Sequence, residues 1–216
     1  MSFWGSSSFA NLLSCLAFIV SFVVFYRTQL AGGKLEVASP SRFAIASANA
    51  IKVQGNDSDK IFLSFSIYNT DINLKTVKGV ILTVTDKTGE EMKFIADAQF
   101  NQLKDIRLFK FPLKDNENYS LVTAFSIPSK THYIANHLFF YLCDRGWHSK
   151  EKRQLLGCGD KPEVFRIKPG LEYKARIHVD AFETKSQDVC FTFMITAEPQ
   201  SKVLDFSPVL EETSCR

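Results

Sequence analysis

An apolar run near the start of the chain limits what the rest can fold into. Residues 9–26 read FANLLSCLAFIVSFVVFY, and Arg27 is the first charged side chain in the sequence. As an α-helix with a rise of about 1.5 Å per residue, the run is roughly 27 Å long, close to the ~30 Å core of a bilayer. Trp4 and Tyr26 flank it, and amphipathic aromatic residues favour membrane interfaces. The sequence therefore predicts a single-pass transmembrane helix.

Two other interpretations of this run fit the sequence less well. A cleaved signal peptide has Lys or Arg before its apolar region and a small-residue cleavage site after it. The preceding residues MSFWGSSS contain no basic side chain, and FYRTQLAGG offers no such site. A buried core helix normally has a polar face, whereas here only Asn11 and scattered Ser and Cys interrupt the run. We therefore expect an uncleaved signal-anchor.

The charges near the run and the cysteines of the body point to opposite sides of the membrane. Lys and Arg follow the run at positions 27, 34 and 42 and none precedes it, so the positive-inside rule predicts a cytoplasmic body. The four body cysteines would suit two disulfides in an oxidising compartment, and Cys143 with Cys158 could close a loop there. Cys190 lies in a strand pattern and is interpreted as a core residue. A periplasmic body is the alternative.

The body is predicted to be mainly β. We divide the chain into an anchor at 1–30, a linker at 31–41 and a β-sandwich domain at 42–216. Apolar and polar residues alternate with period two in several short segments, which indicates half-buried strands. Strands are predicted at 61–67, 80–84, 92–96, 106–111, 121–127, 137–142, 173–181, 189–195 and Val203–Phe206. Such alternation favours an antiparallel immunoglobulin-like β-sandwich, with a barrel as the alternative.

Several short segments also resemble a known group of proteins. They are FYR at 25–27, GKLEV at 33–37, PSRFAI at 40–45, FSIYNT at 65–70, VKGV at 77–80 and IKPG at 167–170. Together they resemble uncharacterised bacterial single-span membrane proteins with an immunoglobulin-like β-sandwich body. The resemblance implies a location in the bacterial inner (plasma) membrane. It carries over no catalytic residue, and a shared fold does not imply a function.

Motifs for enzymatic chemistry are absent from the sequence. There is no Gly-x-Ser-x-Gly nucleophile elbow, no Gly-x4-Gly-Lys-Ser/Thr phosphate loop and no Gly-x-Gly-x-x-Gly fingerprint. A net charge of +3 on 216 residues does not suggest a nucleic-acid binder. We therefore predict a membrane-anchored, non-enzymatic binding or scaffolding module without a cofactor.

Two other functions stay open at this point. One is a membrane-tethered metal-dependent or enzymatic module that uses Cys143, His148 and Cys158, with His137 or His132 as a further ligand. Structural zinc sites usually supply their ligands in close pairs, which these spacings do not match, so no metal is predicted. The other is a structural protein of the periplasmic envelope.

The polar segment 144–161 is the best candidate for an interaction surface. It combines basic groups with a tryptophan, and Trp and Arg are enriched at binding hot spots. The candidate contact residues are Arg145, Trp147, His148, Lys150, Lys152 and Arg153. A partner of this surface would be another protein or the anionic headgroups of the membrane. The alternative is a solvated loop whose tryptophan packs back on the sheet.

Overall fold

The structure is a computed structural model. It describes the backbone of residues 6–26, 33–48, 56–100, 119–122, 124–146, 148–182, 184–196, 203–206 and 211–215. Within these ranges the side chains of residues 6–10, 12, 119–121, 203–206 and 211–212 lie outside the description. Arg27, Trp147 and the strand predicted at 106–111 also lie outside the described residues.

The apolar run forms helix α1, Ser6–Phe25. No Gly or Pro interrupts it, so nothing in the sequence breaks the helical hydrogen bonds. From Leu13 to Tyr26 its large apolar side chains are 46% to 71% exposed. In the part of the chain that the structure describes, no helix combines the length and the hydropathy needed to cross a membrane. The transmembrane assignment stays a prediction.

The rest of the described chain is mainly strand, with one short helix. The strands are β1 Leu35–Val37, β2 Arg42–Ala46, β3 Lys60–Asn69, β4 Lys75–Thr85, β5 Glu91–Phe100, β6 Tyr119–Leu121, β7 Phe125–Ile127, β8 His132–Tyr141, β9 Glu172–Ala181, β10 Gln187–Met194, β11 Val203–Phe206 and β12 Glu211–Thr213. Helix α2, Lys150–Leu155, lies between β8 and β9.

All twelve described strands belong to one antiparallel sheet. Its order is β11-β2-β3-β8-β5-β4-β9-β10-β12, with β1 beside β3, β6 beside β5 and β7 beside β4. The prediction of a mainly β, antiparallel body is confirmed. The segment predicted as one strand at 121–127 is divided between β6 and β7, because these pair with different neighbours.

The sheet curls until its two halves face each other across the core. Phe43 of β2 and Phe193 of β10 lie six strands apart along the sheet, yet their ring centroids are 4.5 Å apart. Strand β9 shows the reason in its sequence: its alternate residues from Tyr173 to Ala181 are buried, and those between them are exposed or half-buried. The immunoglobulin-like arrangement of strands stays a prediction.

Two segments of the body differ from the prediction. Residues 35–37 fall in the predicted linker 31–41, but they form β1, which pairs with the end of β3. Leu35 is completely buried, so the sheet begins before residue 42. Helix α2 lies in the segment that was predicted to be a polar connection, because residues 150–155 are good helix formers.

Strand β3 joins two opposite ends of the body. The end that we call the entry end contains Gly33, Lys34 and the turns at 69–75 and 128–131; here Leu35 pairs with Asn69. The end that we call the loop end contains residues 56–59 and 142–168; here the Ser58 amide binds Asp144. Ten residues at about 3.3 Å each place the two ends roughly 30 Å apart.

Candidate functional site

A disulfide closes the predicted interaction segment into a loop. Cys143 and Cys158 are bonded with an S–S distance of 2.03 Å and a Cα–Cα distance of 5.5 Å, and both are buried. We call residues 143–158 the stapled loop. The sequence had offered this pair as a disulfide for an exported body.

Helix α2 begins and ends within the stapled loop through local capping. The Ser149 hydroxyl accepts a hydrogen bond from the Lys152 amide at 3.3 Å, which caps the first turn. Gly157 has φ = 72°, a left-handed conformation that suits glycine just after a helix. Its amide donates to the Gln154 carbonyl at 3.0 Å. These caps set the direction of a helix of only six residues.

Arg153 points into the loop. Its guanidinium lies 3.2 Å from a Glu163 carboxylate oxygen and donates to the Lys161 carbonyl at 3.1 Å and the Cys158 carbonyl at 3.5 Å. The side chain is almost completely buried. Arg153 therefore holds the loop together. Its prediction as a contact residue is wrong, because the side chain is buried.

The other predicted contact residues differ in how available they are. Arg145 is exposed and lies 3.7 Å from Glu163 and 3.9 Å from Asp57, which are weak surface ion pairs. Lys150 and Lys152 are exposed on α2, and His148 is half-buried. The exposed basic groups of the loop therefore lie mainly on α2.

Two leucines that the sequence analysis missed complete this surface. Leu155 is 88% exposed and Leu156, which follows the helix, is also exposed. Leu155 lies three residues after Lys152, so the two share one side of the helix. The signal in the sequence was the Leu-Leu-Gly that ends the charged stretch, since helix formers followed by Gly indicate a helix end.

A buried carboxylate holds the stapled loop against the start of β3. Asp144 is completely buried and accepts hydrogen bonds from the Ser58 amide at 2.8 Å, the Ser58 hydroxyl and the Gly146 amide at 3.0 Å. The Ser58 hydroxyl oxygen in turn accepts from the Phe165 amide at 2.9 Å. Ser58 is 86 residues away from Asp144, so local sequence patterns give no sign of this contact.

Two more buried charges lie beneath this carboxylate. The Lys60 ammonium donates to the Asn56 carbonyl at 2.9 Å and the Ser58 carbonyl at 2.8 Å. Burial lowers the pKa of Lys60 to about 8, although the nearby Asp144 and Asp59 favour its charged form. Burial also raises the pKa of Asp59, whose carboxylate accepts from the Ile167 amide at 3.0 Å. These bonds fix the backbone around the loop.

The proposed metal ligands do not converge. Because the sulfurs of Cys143 and Cys158 are bonded to each other, they are not thiolates that can bind zinc. His137 lies in β8, edge-on to the ring of Phe65 at 5.7 Å, and His132 is exposed at the entry end. Among the described residues, no three His, Cys, Asp or Glu side chains are placed to hold a metal ion.

The remaining body cysteines form a second disulfide. Cys190 of β10 is bonded to Cys215, with an S–S distance of 2.19 Å. Cys190 is only half-buried, on the face of β10 opposite the core. The interpretation of Cys190 as a core residue is therefore wrong. Its neighbours Val189 and Phe191 fill the core positions instead.

Comparison with known proteins gives little further information. No family model matches the chain, and no curated protein matches it. Spo0M, a sporulation control protein from Bacillus subtilis, has a crystal structure that aligns with a TM-score of 0.32 and 8% identity. The alignment covers 78% of this chain and 51% of that one, so the chain spans about half the length of Spo0M. A similarity at this TM-score supports no inference about fold or function.

Proposed function

We propose that the chain is a membrane-anchored, non-enzymatic binding or scaffolding module that presents the stapled loop to a protein partner. The body is an immunoglobulin-like sandwich in this proposal. The anchor holds it beside the membrane, and the loop end carries the contact surface.

The anchor is supported by the sequence of residues 9–26 and by the exposure of the described part of α1. Its large apolar side chains from Leu13 to Tyr26 are all about half exposed or more. Exposing so many large apolar groups to water is unfavourable by about 25 cal/mol per Å². A helix that is apolar all round is expected inside a large core or a bilayer. Of these two environments we propose the bilayer, because the sheet that follows α1 has a core of its own.

The two disulfides support a body on the oxidising side of that membrane. Disulfides persist in secreted and periplasmic proteins and are rare in the cytosol. All four body cysteines are paired, and Cys15 in α1 is the free one. Two disulfides are stronger evidence for the side of the membrane than the few positive charges after the run, which favour a cytoplasmic body. We therefore propose the periplasmic side of a bacterial plasma membrane.

The observation that carries the binding role is the exposed Leu155 on a rigid support. The loop is closed by the Cys143–Cys158 disulfide and tied to the body by Asp144 and Arg153. A large apolar side chain on a preordered surface loses little conformational entropy when it binds. With Lys150 and Lys152 on the same helix, the surface fits a protein that offers an apolar pocket with acidic groups around it.

Site-specific photo-crosslinking in cells tests this role. A photoreactive amino acid at position 155 is expected to give a discrete protein adduct that weakens when Lys150 and Lys152 are changed to Glu. The matched control is position 194, since Met194 is a half-exposed apolar residue elsewhere on the body. Identical adducts from both positions, or no adduct from position 155, would contradict a binding role for the loop.

The two alternatives have less support. A metal-dependent or enzymatic module built on 143–158 lacks free thiolates, because the sulfurs are paired. A structural envelope protein shares the same location. In that case the adducts from position 155 would not depend on the two lysines.

A further inference from the structure

The turn at 69–75, at the entry end, buries its polar side chains and exposes its apolar ones. The polar side chains of Asn69, Asp71 and Lys75 are 1%, 3% and 8% exposed, whereas Ile72 and Leu74 are 39% and 55% exposed. A turn that faces water normally has its apolar side chains inside. The exposed pair therefore needs an explanation other than folding.

Buried hydrogen bonds hold the turn in this state. The Asn69 side-chain nitrogen Nδ2 donates to the carbonyls of Asn73 at 2.8 Å, Ile127 at 2.9 Å and Pro128 at 3.1 Å. The Asn69 side-chain oxygen accepts from the Asp71 amide at 2.9 Å. Since each of these groups would be costly to leave unpaired, the turn cannot easily rotate its apolar side chains inward.

A buried ion pair fixes the second half of the same turn. The Lys75 ammonium lies 2.9 Å from the Asp71 carboxylate, and both side chains are buried. The hydrogen bond from Lys75 holds the pKa of Asp71 below its usual range. The other Asp71 oxygen accepts from the Asn73 amide at 3.1 Å. Ile72 lies between these residues and is held outward.

The incoming chain is attached directly to this turn. The Thr70 amide donates to the Lys34 carbonyl at 3.0 Å, and the Lys34 amide donates to the Thr70 hydroxyl at 3.0 Å. A Cβ on Gly33 would collide with the backbone of Asp71, so Gly33 is packed against the turn. Gly33 lies in the segment 31–41 that the sequence predicts to be a linker.

Chain length then places the turn beside the anchor. Six residues separate Tyr26 from Gly33. Even fully extended, this segment spans at most about 25 Å, at roughly 3.3 to 3.6 Å per residue. The stapled loop lies roughly 30 Å further along β3. The entry end is therefore held within about 25 Å of the end of α1, whereas the loop end is tethered to α1 only through the length of the body.

We propose that Ile72 and Leu74 rest in the interface of the lipid bilayer that holds α1. The inference rests on the proposed anchor and adds a second, peripheral contact between the body and the same membrane. It explains the reversed polarity of the turn, because an interface accepts apolar side chains that water does not. It also makes the stapled loop face away from the bilayer, which leaves protein as the partner of that loop.

The charges around the turn are compatible with a lipid surface. Lys130 is exposed and its ammonium donates to the Thr70 carbonyl at 2.6 Å. Lys34 is exposed and lies 3.3 Å from Glu36. Of the described charged side chains in the turns themselves, Asp71 is buried and neutralised by Lys75. The described carboxylate of the turns is therefore buried, and the exposed carboxylate of Glu36, in β1, is paired with Lys34.

Depth-dependent fluorescence quenching tests the proposal. The full chain with Cys15→Ser is reconstituted in phosphatidylcholine vesicles that contain a spin-labelled lipid quencher. One labelling site at a time is introduced by Leu74→Cys, Leu155→Cys or Phe18→Cys and carries the same small fluorophore. Interfacial side chains lie about 5 to 10 Å into the headgroup boundary, so we expect quenching at position 74 roughly threefold or more above that at position 155.

The three positions separate failure of the proposal from failure of the anchor. If position 18 is quenched and position 74 resembles position 155, the anchor stands and the bilayer contact is overturned. If position 18 is not quenched, the anchor itself fails and the contact fails with it. Equal strong quenching at positions 74 and 155 would also overturn the proposal, because the loop end would then touch the bilayer.

A charge substitution provides the matched control. Ile72→Asp is expected to reduce the quenching at position 74 to the level of position 155 while position 18 stays quenched. Met194→Asp, at a half-exposed apolar residue remote from the turn, is expected to change neither value. Unchanged quenching at position 74 in the Ile72→Asp variant would overturn the proposal.

Discussion

The entry end and the loop end of the body use the same physical device. Each buries charged or polar side chains in order to hold a tight segment of backbone, and each leaves leucine exposed. At the loop end Asp144 and Arg153 are buried and Leu155 is exposed; at the entry end Asp71 is buried and Leu74 is exposed. Because buried polar groups are costly unless fully paired, both arrangements are strongly determined.

The ends differ in what closes them and what surrounds their apolar residues. A disulfide closes the loop end, and its leucine follows two exposed lysines. The incoming chain closes the entry end through Gly33 and Lys34. An exposed leucine can therefore contact different kinds of partner, depending on where it lies in the molecule. We propose lipid as the partner of one surface because the chain connects it to α1, and protein as the partner of the other because it lies far from α1.

The largest expected effect is at the loop end. Asp144→Ala leaves the donors of Ser58 and Gly146 without their acceptor and removes a negative charge near Lys60. We expect the free energy of unfolding to fall by about 3 to 5 kcal/mol. Denaturant titration of the full chain in detergent measures this. Asp160→Ala, at an exposed position, should change it by less than about 0.5 kcal/mol. Similar losses in both variants would contradict the role of the buried Asp144 carboxylate in stabilising the loop end.

The disulfide comes next and separates the two ends. Changing Cys143 and Cys158 together to Ser opens a loop with a sequence separation of 15. A loop of about this size corresponds to roughly 3 kcal/mol of stability. We expect the adduct from position 155 to weaken while the quenching at position 74 is unchanged. Loss of both signals would show that the two ends are not independent.

Acid is expected to lower the stability of the body through His137, which lies in β8 between the two ends. Burial lowers the pKa of His137 to about 3 from an ordinary value of about 6.5. The folded state therefore binds fewer protons than the unfolded state between these values. Stability is complete above pH 6.5 and falls with decreasing pH by up to about 1.4 kcal/mol per unit, or about 2 kcal/mol between pH 6.5 and 5.

Substitution isolates this histidine from the other titrating groups. The pH dependence of unfolding should be shallower by that amount in His137→Leu than in the wild type. Parallel slopes for wild type and His137→Leu would contradict the burial of a neutral imidazole.

The smallest effect on the free energy of unfolding is expected for the side chains that are proposed to contact the membrane and that do not pack in the core. Changing Ile72 and Leu74 together to Ser should alter the free energy of unfolding by less than about 0.5 kcal/mol, because both side chains are exposed. Ile67→Ala, in the buried part of the neighbouring strand, should cost about 2 to 5 kcal/mol. The measurement is denaturant titration in detergent. A large loss in the first variant would mean that the turn needs these side chains for folding.

The sequence predicted those parts of the fold that depend on local periodicity. Strand β9 alternates from Tyr173 to Ala181, and the structure buries the residues that the alternation selects. The pairing of Cys143 with Cys158 was foreseen only as an option, because spacing alone does not decide between disulfide and reduced thiols. The immunoglobulin-like description and the anchor stay predictions.

The details of the candidate surfaces could not be predicted in the same way. The contact between Ser58 and Asp144 joins residues 86 apart, and no local pattern reports such a distance. Arg153 resembled the other basic residues of its segment until the fold placed carbonyls around it. The outward direction of Ile72 depends on hydrogen bonds from Asn69 to another turn, so composition alone would have placed it inside.

The most direct test of the account is the side of the membrane on which the body lies. Intact and permeabilised cells are labelled with a membrane-impermeant thiol reagent, with and without prior reduction, in a Cys15→Ser background. We predict labelling of intact cells only after reduction, because all four body cysteines are paired and the proposed body lies on the periplasmic side of the membrane. Labelling that needs permeabilisation but no reductant would contradict it, since the body would then be cytoplasmic with free thiols.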